Sequence, residues 1–168
     1  DAKSHDGLPA LFLAARNGHT AVVAELVQAG ANVNAPSGHG STPLIVAAGN
    51  GDATCVDILL RHGADPNAAR EDGWTALVAA ASWGRMDAAQ SLVACGRVDL
   101  TDTRFQGHTA LQWAEEKGHA QIAALLRGAA AAPPASSATA PPAAHDAAVV
   151  DPAECASVLR AAAALERA

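Results

Sequence analysis

Apolar positions recur along this chain at helical spacing, in short stretches that come in pairs. Val22, Val23, Leu26 and Val27 define one apolar face, and Cys55, Val56, Leu59 and Leu60 define another, each with the step of an amphipathic helix. Between them lie stretches richer in small residues, such as Leu44, Val46, Ala47 and Ala48, or Leu77, Ala79, Ala80 and Ala81. Small side chains let neighbouring helices approach closely, so these stretches predict tightly packed first helices of each pair. Thr42-Pro43, Thr75-Ala76 and Thr109-Ala110 place a threonine oxygen where it can accept from the free N–H groups of a helix start, followed by a residue suited to the first turn.

Glycines punctuate the same pattern. Gly7, Gly40 and Gly73 are 33 residues apart, and Gly107 follows after 34. Gly18, Gly51, Gly84 and Gly118 repeat those intervals, and Gly30, Gly63 and Gly96 repeat at 33. The second series ends the first helix of each pair. The third closes the second helix, where glycine tolerates the left-handed conformation beyond a helix end. A fixed period of this length predicts a solenoid, in which a helix pair that cannot bury its own apolar face stacks on the next.

Composition agrees. Alanine supplies about a quarter of the residues, aromatics 3%, and tyrosine is absent, which favours packed helices over a sheet sandwich. The expected fold class is all-α. Half the 168 residues are apolar, enough for a substantial core. Net charge is −6, with nine Lys/Arg against thirteen Asp/Glu in residues 1–128 and no clustered basic face, so neither nucleic acid nor an anionic membrane is an expected partner. Charged residues make up only 17%, which implies surface meant to be covered.

Cys55, Cys95 and Cys155 are widely spaced and form no CxxC, so neither a disulfide framework nor a metal site is expected, and a reducing compartment fits. No apolar run has the length of a membrane span. The sequence begins at Asp1 without methionine, from which we expect a fragment or processed form. An intracellular, cytoplasmic setting is expected, with an organelle left open.

The strings Gly40-Ser41-Thr42-Pro43-Leu44-Ile45-Val46-Ala47-Ala48, His62-Gly63-Ala64-Asp65-Pro66-Asn67-Ala68 and Gly30-Ala31-Asn32-Val33-Asn34-Ala35 resemble the diagnostic stretches of the ankyrin-repeat family. The resemblance covers about residues 6–128 as four repeats. It implies a solenoid of four helix-turn-helix units joined by hairpin loops, occupying residues 1–128. The histidine usual in the family after Pro-Leu is replaced by Phe12, Ile45, Val78 and Gln112, so packing must replace its inter-repeat hydrogen bonds. Cys95-Gly96-Arg97-Val98-Asp99-Leu100 carries the extra residue of the longer interval, and the last repeat lacks the Gly-Ala-Asp close.

Residues 129–150 are nearly all Ala, Pro, Ser and Thr, and Pro133-Pro134 and Pro141-Pro142 interrupt any helix, predicting a partly extended linker. Asp151-Pro152-Ala153-Glu154 then has the form of a helix start. Cys155, Val158, Leu159, Ala162 and Leu165 share one face of an amphipathic helix over 151–168, which packs either on the last repeat or on a partner.

No phosphate-binding GxxxxGK, nucleophile elbow or HExxH is present. His19 and His119, in Gly-His pairs opening second helices, and His62, before the closing Gly63, read as structural. Glu115 and Glu116 point in different directions on a helix and do not converge on a substrate. No enzyme activity, cofactor, metal or small-molecule substrate is expected.

The resemblance implies a partner surface made by hairpin tips and the exposed side of the first helices. At the tips it selects His39 and Ser41, then Glu71, Asp72 and Trp74, then Phe105, Gln106 and His108. Along the first helices it selects Arg16, Asn17 and Asn50, then Ser82 and Trp83, then Glu116 and Lys117. Trp74 and Trp83 stand out, since tryptophan is enriched in binding hot spots. The competing reading lays Trp74 across the next hairpin and stacks Trp83 on it with no partner involved. Trp113 replaces a core leucine and reads as packing. The function expected is a scaffold or adaptor that binds another protein. The alternatives are a structural subunit of a larger assembly, anchored by tether and tail, and a regulatory domain cut from an enzyme.

Overall fold

The computed structural model describes residues 8–131. Among them, eight helices follow one another in pairs: α1 Ala10–Arg16, α2 Thr20–Gln28, α3 Pro43–Asn50, α4 Ala53–Arg61, α5 Ala76–Ser82, α6 Met86–Ala94, α7 Ala110–Glu116 and α8 Ala120–Ala131. The four odd-numbered helices are the closely packed first helices expected from the small-residue stretches; α1, α3, α5 and α7 pack in sequence and form the inner row. The even-numbered helices form a second row, α2 on α4, α4 on α6 and α6 on α8. Between α2 and α3, α4 and α5, and α6 and α7 the chain turns through hairpin loops, the second of which carries the antiparallel bridge of Ala69 with Thr75.

The threonines act as the sequence predicts. Thr42, Thr75 and Thr109 are in extended conformation, and each side chain accepts from the backbone N–H three residues on, at Ile45, Val78 and Gln112. In the first repeat Pro9 takes that place, and α1 begins with no side-chain cap. The core is continuous through the stack. Leu11, Leu44 and Leu77 fill it from the inner row and Val23, Val56, Leu59 and Leu92 from the outer row, all at most 2% exposed. A repeat array owes its stability to such interfaces between neighbours.

Phe12, Ile45 and Val78 are buried, so packing does replace the family's histidine at three positions. At the fourth, Gln112 stays exposed and closes a capping box, its Oε1 accepting from Thr109 N at 2.8 Å. Val22 departs from its expected place in the apolar face and is 45% exposed. Its repeat counterparts Cys55, Ala88 and Ile122 are buried, each on an outer helix that packs against a preceding one, whereas no outer helix precedes α2 among the described residues. Helix α8 runs on to Ala131, past Gly128, because alanines after it sustain the helix at the cost of one interior glycine. The rest of the Ala/Pro segment and the helix expected over 151–168 lie outside the described residues.

Candidate functional site

Two side-chain ladders fix how each repeat sits on the last. In the first, Asn34 donates Nδ2 to Gly63 O (3.2 Å) and accepts from Asp65 N at Oδ1 (2.9 Å). Asn67 repeats this with Arg97 O (2.8 Å) and Asp99 N (2.7 Å). The partner carbonyl has moved from Gly63 to Arg97, so the extra residue of the longer interval is absorbed before the clip and the stacking below it is preserved. Thr101 stands where a third asparagine would be, and that ladder ends there.

The second ladder ties down the C-termini of inner helices, whose last carbonyls have no partner within the helix. Asn50 Nδ2 donates to Arg16 O (2.8 Å) and Ala15 O (3.3 Å), and Arg85 Nε to Gly49 O (3.0 Å). His119 Nε2 lies 3.2 Å from Ser82 O, where only its protonated nitrogen can donate. One task thus falls to three residue types. Gly84 is needed twice over for this arrangement. Its φ is +69°, and a Cβ there would sit 2.7 Å from the His119 ring.

Against this frame the inner helices and hairpins enclose two adjoining depressions. One, of about 300 Å³, is lined by Arg16, Ser41, Ile45, Val46, Gly49, Asn50, Arg70, Trp74, Ala79, Trp83 and Arg85. The other, of about 460 Å³, is lined by Leu8, Phe12, Arg16, Ser37, Gly38, His39, Ser41 and Arg70. The structure therefore gathers Arg16, Ser41, Asn50, Trp74 and Trp83 into one groove and brings His39 to its rim. Ser41 is buried beneath the tip, and the Asn50 amide is committed to the ladder. Trp83 is the most open of the large apolar side chains among the described residues, 63% exposed.

Other selected residues lie elsewhere. Asn17 caps the end of α1, and Glu71 and Asp72 are exposed outside both depressions. Asp72 accepts from Trp74 N (3.1 Å) and pairs with Arg70 at 3.2 Å. Phe105, His108 and Lys117 gather around Trp113, the first two with ring centroids at 5.3 and 5.5 Å and Lys117 Nζ 5.3 Å above its ring. Trp113 is buried, as its packing role requires, and its Nε1 has no acceptor among the described residues. Glu116 pairs with Lys117 at 3.6 Å, and partly buried Ser82 lends its carbonyl to His119. Gln106 is exposed at φ +53°, the one non-glycine described residue with positive φ, and its carbonyl is 2.9 Å from His108 Nδ1.

Sequence reasoning passed over Arg70 and Arg85, both of which line the groove. Arg85 occupies the outer-helix cap position of His19, Asp52 and His119, and an arginine there, unable to accept a cap bond, was the available signal. At that place in the second repeat, Asp52 does cap, accepting from Cys55 N (2.9 Å) and also from Thr20 Oγ1 (2.7 Å) across repeats. Burial, aided by the Asp52 charge, pushes the Cys55 thiol up to about 12, so it is an inert core group and no nucleophile at neutral pH. Hydrogen bonds from Arg104 hold the Asp102 carboxyl below the usual range and fix the base of the third hairpin, between α6 and α7. Among the described residues no three His, Cys, Asp or Glu side chains converge as metal ligands would, and no helix is long and apolar enough to cross a membrane.

Stacked helix pairs held by inter-repeat ladders, with a groove along the inner helices, define a helical-repeat solenoid. The family model for ankyrin repeats, a run of three copies, matches residues 1–70 and again residues 68–135, and the chain belongs to the ankyrin-repeat family. A search of curated protein sequences finds no match. Ankyrin repeats are in general protein–protein interaction modules.

Proposed function

We propose that the chain is a non-catalytic adaptor that binds a partner protein in the groove between its hairpin tips and inner helices. The observation that carries this reading is Trp83. A large indole stands 63% exposed at the edge of a depression floored by Ile45, Val46 and Ala79, with no ring partner among the described residues. Apolar surface left in water costs free energy that docking recovers, and tryptophan at the centre of an interface is a common hot spot. The fold does not require an indole there: the same repeat position holds Asn17, Asn50 and Lys117.

A photo-crosslinking residue placed at position 83, and in a second variant at Gln90 on the exposed side of α6, tests the reading in an extract of the source cells. Adducts to a discrete partner should form from position 83 and not from position 90. Adducts from position 90 alone would place the partner on the outer row and overturn the proposal.

A further inference from the structure

Resting on that reading, we infer that the groove is specific for acidic segments of its partner: an extended peptide whose carboxylates meet Arg16 and Arg70 while an apolar side chain sits against Trp83. Two facts separate this surface from the rest of the molecule. The chain as a whole is acidic, at −6, yet Arg16, Arg70 and Arg85 from three successive repeats line the groove, and neither depression is lined by a single Asp or Glu. The positive charge there is also incompletely answered within the fold.

Arg16 is exposed at the end of α1 and its guanidinium has no hydrogen-bond or ion-pair partner among the described residues; only its backbone carbonyl is used, by Asn50. Arg70 pairs with Asp72 at 3.2 Å, but its buried Nε finds no acceptor among the described residues. Arg85 spends Nε on Gly49 O. Arg16 and Arg70 line both depressions, so an extended chain crossing from one to the other passes both guanidinium groups. Arginine suits this task, since its planar fork takes carboxylates two bonds at a time. The apolar floor of Ile45, Val46 and Ala79 beside Trp83 then supplies the contact that charge alone would leave sensitive to salt.

The test is selection of a randomised peptide library on the immobilised full chain, followed by the same selection on an Arg16→Glu variant. Arg16 makes no side-chain bond among the described residues, so the variant should stay folded, with only the small drop in melting temperature that an acid in the last turn of α1 brings. The wild-type pool should become enriched in Glu and Asp flanking an apolar residue. Peptides remade from it should bind at least about tenfold more tightly than versions with lysine in place of the acids, with affinity falling as salt rises. Arg16→Glu should abolish that enrichment and move the pool toward Lys and Arg.

A wild-type pool with no acidic enrichment, or an acidic pool indifferent to Arg16→Glu, would overturn the inference. So would a single-stranded oligonucleotide that outcompetes the selected peptides. If crosslinks from position 83 reach a partner through a neutral or basic segment, the acidic preference fails while the adaptor reading stands. If no crosslink forms there, the adaptor reading itself fails.

Discussion

Trp74 and Phe105 meet edge to face, ring centroids 4.5 Å apart and planes at 85°, so that the indole of one hairpin is held by the ring of the next. Phe105 leans in turn on Trp113 at 5.3 Å. The two tryptophans on the expected partner face therefore have different duties. Trp74 is partly buried in an aromatic chain, whereas Trp83 stands in solvent. Trp74→Ala should lower unfolding free energy by about 1–3 kcal/mol, combining lost burial with the aromatic pairing. Trp83→Ala should change it by less than about 0.5 kcal/mol, as expected of an exposed position. Urea titrations of the two variants decide this, and equal losses would make both tryptophans internal staples.

Leu59 and Leu92 are fully buried in the outer row, at 0% exposure. Replacing either by alanine should cost about 2–5 kcal/mol, the range for buried leucines in packed cores. Calorimetry or denaturant titration measures it, and a loss below about 0.5 kcal/mol would contradict the packing described.

The asparagine ladder makes a local prediction. Asn67→Ala removes the donor to Arg97 O and the acceptor for Asp99 N together. Stability should fall by about 0.5–3 kcal/mol, one or two net hydrogen bonds. Amide exchange should accelerate at Asp99 more than at Asp65, whose N–H is held by Asn34. Uniform acceleration at both sites would show that the loss is global and the clip has no separate effect.

Thiol chemistry should divide the cysteines. Cys55 is fully buried with its ionisation pushed up to about 12 from 9.0, while Cys95 is partly exposed. Since the folded value lies above the unfolded one, the neutral thiol's contribution is fully present below pH 9 and is lost as pH rises through about 12. An aromatic disulfide reagent at pH 8 should modify Cys95 in the native protein and reach Cys55 only on unfolding. Equal rates at the two would contradict the burial.

Gly84 and His119 should behave as a coupled pair. Gly84→Ala alone meets both the left-handed backbone penalty and the imidazole 2.7 Å from the new Cβ. In a His119→Ala background only the backbone penalty of about 1–2 kcal/mol should remain. A double-mutant cycle reads the difference, and strict additivity would show that the ring moves aside without cost.

The parts of this protein written within a single repeat were legible from sequence. Threonine caps, terminal glycines and the apolar faces of Val56, Leu59 and Leu60 act over a few residues, and their recurrence at 33 states the period directly. Of the four substitutions of the family's histidine, Phe12, Ile45 and Val78 were readable as packing for the same reason, whereas Gln112 is exposed and caps its own helix. What the tertiary structure alone decided lies between repeats. The inner-helix carbonyls are satisfied by Asn50, Arg85 and His119, residues of unlike type from two different repeat positions, so no period betrays their common task. Trp74 and Trp83 look alike in the sequence, but among the described residues a neighbouring ring packs on one and none packs on the other. Arg16, Arg70 and Arg85 are scattered along an acidic chain, and only stacking brings them to one groove, because distances across repeats depend on how one helix pair seats on the next.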